Sequence, residues 1–212
     1  VNAPGLVDRK DRMYAISPAS RADITEVSAV LGSAFAEDTV MGTLVRGDHR
    51  AAKLRELFKA LIDSGPLESG RVDIARRDGD GRILGAAIWE EPGHRGSLLA
   101  KAAQLPGFLR SLGLRGLRPA LKVQQALAHH RPTAPHWYLA QIGVGEHARG
   151  EGVGSSLLKY GLARVSREGQ PAYLEASNSR NRALYGRHGF TPISTIAGLP
   201  NAAPTAMWRD SV

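Results

Sequence analysis

The 212-residue chain has no cysteine. That excludes disulfides, a thiol nucleophile and thiolate metal ligands, and it fits a reducing compartment. No apolar run reaches the ~18 residues that a membrane-spanning helix requires. Residues 1–12 are polar and lack the apolar core of a signal peptide. The expected location is therefore the cytoplasm. No low-complexity tract is present, and no His, Asp and Glu residues fall at metal-ligand spacing, so no metal is expected. Acidic residues are in deficit: 20 against 28 Lys and Arg, for a net charge of +8. That balance suits an anionic partner, although the arginines are scattered and no nucleic-acid motif accompanies them. Neither nucleic acid nor a membrane is expected as partner. With 42% hydrophobic residues, the chain reads as one globular domain over residues 1–212.

Helical and strand signals alternate. Met13 to Ser17 could form a strand. Ser20 and Asp23 make a start resembling a capping box, and Ile24, Val27, Val30, Leu31, Ala34 and Phe35 follow at helical spacing. Residues 36–41 are acidic and then apolar without a period, which reads as a loop or broken helix. A second helix spans His49 to Ile62, ended by Ser64-Gly65-Pro66. Val72 to Arg76 and Ile83 to Glu90 read as a hairpin about Asp78-Gly79-Asp80-Gly81; the apolar second strand is expected inside a sheet. These elements make an N-terminal half, residues 13–93. Residues 94–131 form a helical insertion, with one stretch at Leu98, Leu99, Ala102 and Leu105, a second at Phe108 to Leu112, and a third from Leu117 through Pro119 to Leu127. Residues 136–212 form the remaining core, closed by strand-like runs at Thr191 to Ile196 and Thr205 to Arg209.

The most informative stretch is His136 to Phe190. A strand, Trp137 to Val144, leads into Arg149-Gly150-Glu151-Gly152-Val153-Gly154. An amphipathic helix follows, then a strand at Ala172 to Ala176, then Asn178 and a short helix carrying Tyr185. A glycine-rich turn between strand and helix can hold phosphate, because free backbone N–H groups and the helix dipole converge on an anion. The loop fails as a P-loop, since Gly154 rather than Lys precedes Ser155. It also fails as a dinucleotide fingerprint, since Ser155 stands where the third glycine belongs.

Arg149-x-x-Gly152-x-Gly154 resembles the pyrophosphate loop of the GNAT superfamily of N-acetyltransferases, (Gln/Arg)-x-x-Gly-x-(Gly/Ala). Asn178, then Tyr185, then Gly189-Phe190 is similar to the family's C-terminal signature. The segments HHRPTAPHWYLAQIGV, PAYLEASNSRN and LYGRHGF, with Ala206-Met207-Trp208-Arg209, resemble the puromycin N-acetyltransferase branch. The resemblance implies a mixed α/β fold: a twisted sheet of six to seven strands with helices on both faces. In that fold the strands at Trp137 to Val144 and Ala172 to Ala176 splay apart to admit coenzyme A. It implies acetyl-CoA as co-substrate, held by Ile142, Gly143, Val144, Arg149, Gly150, Gly152, Val153, Gly154, Ser155, Asn178 and Tyr185. A backbone N–H near Ile142 would polarise the thioester carbonyl.

Tyr185 is the expected acid for the departing thiolate, since phenol and thiol pKa values, ~10 and ~8.5, lie close. Glu175 is a candidate base acting through water, with Glu37, Asp38, Glu90 and Glu91 as alternatives. Gln141 cannot serve as one. Phe35, Asp38, Met41, Trp89 and Glu90 are the expected acceptor-side residues. Three functions fit this pattern: N-acetylation of a small amine by direct transfer, N-acetylation of a protein or peptide, and coenzyme binding without turnover. Whether the chain forms a homodimer is open.

Overall fold

The computed structural model describes residues 13–45, 47–67, 71–93, 104–199 and 201–211. Its strands are β1 (Tyr14–Pro18), β2 (Val72–Arg77), β3 (Ile83–Glu90), β4 (Trp137–Val144), β5 (Ala172–Ala176), β6 (Thr191–Thr195) and β7 (Thr205–Arg209). They form one sheet in the order β1-β2-β3-β4-β5-β7-β6. Among the described strands only β4 and β5 pair in parallel. The helices are α1 (Ile24–Ala34), α2 (Thr39–Leu44), α3 (Arg50–Asp63), α4 (Leu105–His130), α5 (Val153–Arg167) and α6 (Ser179–Gly186). The mixed sheet anticipated from the sequence is the sheet observed.

β3 is buried along nearly its whole length because both of its faces are covered. Ile83, Ala86 and Ile88 meet Leu31, Leu54 and Phe58 of α1 and α3. Leu84, Ala87 and Trp89 meet Leu157, Leu158 and Val165 of α5. From Ala86 onward the faces follow the two-residue period of a strand; between Leu84 and Ala86 the phase shifts by one, at the irregularity in the β2–β3 ladder. Gly161 sits in α5 for want of space, since a Cβ there would lie 2.3 Å from the Trp89 indole nitrogen. A buried ion pair fastens α5 to β2: Arg164 Nη2 donates to Asp73 Oδ2 at 2.9 Å. At the far edge β6 is exposed and carries Pro192, a position an edge strand tolerates.

Two segments differ from expectation. Of residues 36–41, read as loop or broken helix, the last three open α2 (Thr39–Leu44), which Asp38 caps by accepting from the Met41 N–H at 2.9 Å. The stretches at Phe108 to Leu112 and Leu117 to Leu127 merge into α4, which kinks at Gly113 (φ 66°, ψ 168°) and runs on through Pro119. The stretch at Leu98, Leu99 and Ala102 lies outside the described residues.

The feature that positions the site is a fork between β4 and β5. β4 pairs with β3 from Tyr138 to Val144. Its pairing with β5 stops after two rungs, Trp137↔Ala172 and Tyr138↔Tyr173. Beyond Tyr138, β4 therefore presents a strand edge that β5 does not cover. A bulge at Ile88/Trp89 in the β3–β4 ladder lies beside the point of divergence; such bulges bend and twist a strand.

Candidate active site

The glycine-rich loop lies at the end of β4. Gly150 (φ 90°) and Gly152 (φ 77°) occupy the left-handed region, where any other L-residue is strained. Gly152 is the N-cap of α5 and brings no capping side chain. The first bond closing the helix is Ser156 N–H to Gly152 O, 3.0 Å. The N–H groups of Val153, Gly154 and Ser155 precede it and have no acceptor within the helix. The backbone at this helix start is thus shaped to accept an anion. At Gly154 an added Cβ would make ordinary contact with Val144, at 3.4 Å, so space does not demand glycine there.

His188 meets the first turn of this helix, and basic groups lie near His188. Ser155 Oγ and His188 Nε2 are 2.8 Å apart. Burial, then the charges of Lys159, Arg187 and Arg209, hold the His188 pKa below its usual value. Arg149 is exposed beside the loop.

A polar network occupies the fork. Tyr138 Oη donates to Glu175 Oε2 at 2.8 Å. Burial pushes the Glu175 carboxyl up to about 7, against the opposing influence of the Tyr138 hydrogen bond and the Arg131 charge. Tyr173 Oη is buried without a hydrogen bond of normal geometry, yet it lies close enough to feel the Glu175 charge. The Arg131 guanidinium stacks 4.1 Å from the centre of the Tyr138 ring. Its Nη1 donates to Glu90 Oε2 at 3.2 Å and its Nε to His136 Nε2 at 3.0 Å. With Nε2 accepting, His136 Nδ1 carries the proton and donates to Ala134 O at 2.6 Å.

Tyr185 approaches from α6. Asn178 starts that helix by accepting from the Asn181 N–H at 2.9 Å, so its side-chain oxygen is committed to the cap. The Tyr185 ring is 6% exposed and packs edge-on against Phe190. Burial raises its pKa first, followed by the negative charges of Asp38 and Glu175. The three groups therefore face a common region. Leu174 and Ala176 of β5 share the Tyr185 cluster, whereas Tyr173 packs with Val123 and Leu199 on the opposite face. Glu175 alternates with Leu174 and Ala176, so the Tyr185 phenol and the Glu175 carboxyl flank the fork from opposite faces of β5.

On the Glu175 face a cavity of about 510 Å³ is lined by residues including Glu37, Asp38, Thr39, Val45, Arg50 and Asn201. Asp38 thus serves as cavity wall, as cap of α2 and as neighbour of Tyr185. Among the described residues no group of three or more His, Cys, Asp or Glu side chains could hold a metal ion.

The model of the acetyltransferase (GNAT) family matches residues 43–190. This protein belongs to the GNAT acetyltransferase family. A solved structure from Corynebacterium glutamicum, described as histone acetyltransferase HPA2 and related acetyltransferase, is 32% identical to it. That likeness covers 95% of this chain and 98% of the other, with a TM-score of 0.75. A polyamine N-acetyltransferase of Drosophila melanogaster shares the fold at 16% identity and a TM-score of 0.61, over 92% of this chain and 98% of the other. A mycothiol acetyltransferase of Jonesia denitrificans is 42% identical over 55 residues, which are 24% of this chain and 18% of that protein.

For a GNAT acetyltransferase of this sequence, several expected acceptor contacts move. Trp89 is 0% exposed and stacks edge-on with Trp137 beneath α5. It is a core residue, because its place in β3 turns it away from the cavity. Met41 is likewise turned into the α1–α3 core. Phe35 packs on Phe58, their ring centres 5.3 Å apart, and sits under Gly143, where a Cβ would lie 3.1 Å from its ring. Glu90 is tied to Arg131 and Glu91 to Arg71. Tyr138, Arg131, Arg50 and Asn201 were missed. Alternation along β4 and β5 could have paired Tyr138 with Glu175, given the parallel register.

Proposed function

We propose that the protein transfers the acetyl group of acetyl-CoA to the primary amine of a small molecule, by direct attack in a ternary complex. The observation that carries this reading is the arrangement at the fork: a carboxyl titrating near 7 on one face and a protonated phenol on the other. The bound co-substrate supplies an acetyl thioester. The free N–H groups of Val153, Gly154 and Ser155 hold its pyrophosphate, with Gly150 and Gly152 shaping the loop and Arg149 adding charge. The uncovered edge of β4 at Ile142, Gly143 and Val144 offers backbone groups to the pantetheine arm, and an N–H near Ile142 to the thioester carbonyl.

Asp38 and Glu37 attract the acceptor as an ammonium ion. Glu175 removes its proton, either directly or through water, and Tyr185 holds the proton destined for the departing sulfur. Asn178 acts indirectly, by starting the helix that carries Tyr185.

A small acceptor is favoured over a peptide because α4 lies across this face. Its Val123, Ala126 and Leu127 pack on Tyr173 and Leu199, so a helix covers part of the face from which an extended peptide would approach. The C-terminal segments resemble the puromycin N-acetyltransferase-like branch, which supports a small-molecule acceptor, and the absence of cysteine suits the cytoplasm. The test is a coenzyme A-release assay over antibiotics, polyamines, amino acids and peptides. Turnover is expected on a small amine. Tight coenzyme binding without turnover on any class would leave a binding domain instead, and turnover confined to peptides would select the protein-modifying reading.

A further inference from the structure

We propose that Tyr138 and Arg131 are positioning residues that fix the Glu175 carboxylate as the base of the reaction. The inference rests on the reading of Glu175 given above and extends it to residues that touch neither substrate. Tyr138↔Tyr173 is the last paired rung before β4 and β5 part. From that rung the Tyr138 hydroxyl reaches along β5 and donates to Glu175 Oε2 at 2.8 Å. The bond spans the fork at its root. It occupies one carboxylate oxygen and so fixes the rotation of the carboxyl group, with the Tyr173 hydroxyl close to the same group.

Tyr138 is itself held. The Arg131 guanidinium covers its ring at 4.1 Å. Arg131 is anchored to Glu90 at the end of β3 and to His136. His136 is wedged edge-on against Tyr173 and Trp208, each with ring centres 5.5 Å away. The sequence Glu90–Arg131–Tyr138–Glu175 thus runs from β3, through the connection after α4, to β4 and β5. A guanidinium that is always charged, lying beside a buried carboxylate, favours the ionised form. A phenol donor does the same. The groups facing Glu175 are Tyr138 on β4, Tyr173 on its own strand, Arg131 after α4, Glu90 on β3 and Tyr185 on α6. Both tyrosines on the Glu175 face of the sheet, Tyr138 and Tyr173, are themselves pushed upward by burial, so neither competes with Glu175 as the group that ionises near neutrality.

The test is the pH profile of kcat/KM for the full chain, with acetyl-CoA and an amine found by the release assay. Four proteins are compared: the unsubstituted chain, Tyr138→Phe, Arg131→Gln and Glu175→Gln. Tyr138→Phe keeps the ring and removes only the donor. It should move the acid limb up by about one pH unit and lower kcat about tenfold, with KM for acetyl-CoA unchanged. Arg131→Gln should move the limb in the same direction. Glu175→Gln should abolish the limb. Carboxylate titration by carbon NMR, in the unsubstituted chain and in Tyr138→Phe, reads the same shift without turnover. If Glu175→Gln removes the limb while Tyr138→Phe and Arg131→Gln leave its position and the Glu175 titration unchanged, the positioning inference is wrong and the base reading stands. If Glu175→Gln retains both limb and rate, the base reading falls and takes this inference with it.

Discussion

Glu175 makes the fold less stable at the pH where it would be most useful. Its folded pKa, about 7, lies above the ordinary 4.5, so between those values the native state binds more protons than the unfolded chain. Stability therefore falls as pH rises from about 4.5 to 7, and the deficit is complete above that. Glu175→Gln should melt higher than the unsubstituted chain at pH 8, by roughly 2–4 °C for each kcal/mol recovered, and the gap should close by pH 4. Calorimetry at the two pH values checks this; a gap independent of pH would mean the carboxyl is not desolvated. In the reading proposed above Tyr185 is the proton donor. Burial and two nearby carboxylates raise its pKa, so it stays protonated at every working pH and produces no basic limb there, while the gap between its pKa and that of a thiol is wider than for an unperturbed phenol. Tyr185→Phe should cut kcat by about a hundredfold or more with coenzyme affinity nearly unchanged. Stopped turnover against isothermal titration would separate the two effects.

At the scale of elements, the loop and helix that would hold the pyrophosphate depend on one backbone conformation. Gly152 caps α5 at φ 77° with nothing within 4 Å of where a Cβ would project, so the obstacle to substitution there is strain rather than crowding. Gly152→Glu adds about 1–2 kcal/mol of left-handed strain and a negative charge beside the anion site. Coenzyme binding should be lost while the fold persists; titration calorimetry with coenzyme A and circular dichroism would show the two outcomes. This element was legible in the sequence because glycines, helix period and the downstream Asn178 and Tyr185 all lie within one continuous stretch. The Tyr138–Glu175 network was not legible as a network. Tyr138 and Glu175 are 37 positions apart, and their contact exists only through the register of a parallel pair that lasts two rungs. Trp89 was assigned to the acceptor side because an all-apolar strand offers no polar alternation to say which face is which. At α2, six residues are too few to show a helical period, and its one signal was the capping Asp38.

At the scale of the molecule, the sheet is two half-sheets joined at a short seam. β1 to β4 form an antiparallel unit, β5 to β7 a second, and the two rungs at Trp137 and Tyr138 are the strand pairing between them. α5 packs mainly on the first unit, against β3 and β4, while Tyr185 and Phe190 close the second against the same core. A ligand lying along the uncovered edge of β4, with its phosphates at the start of α5, would touch both units, and its binding free energy would enter the folding equilibrium. Coenzyme A at a hundred times its Kd should add about 2.7 kcal/mol, or roughly 5–10 °C in Tm. Amide hydrogen exchange should slow on both sides of the seam rather than at the loop alone; slowing confined to residues 149–156 would show that the halves are not coupled. Were coenzyme A bound in this way, the stability of the fold would follow the supply of acetyl donor. In a cell short of acetyl donor the same chain would be a less stable protein, and its lifetime against proteolysis would report the supply of the molecule it consumes.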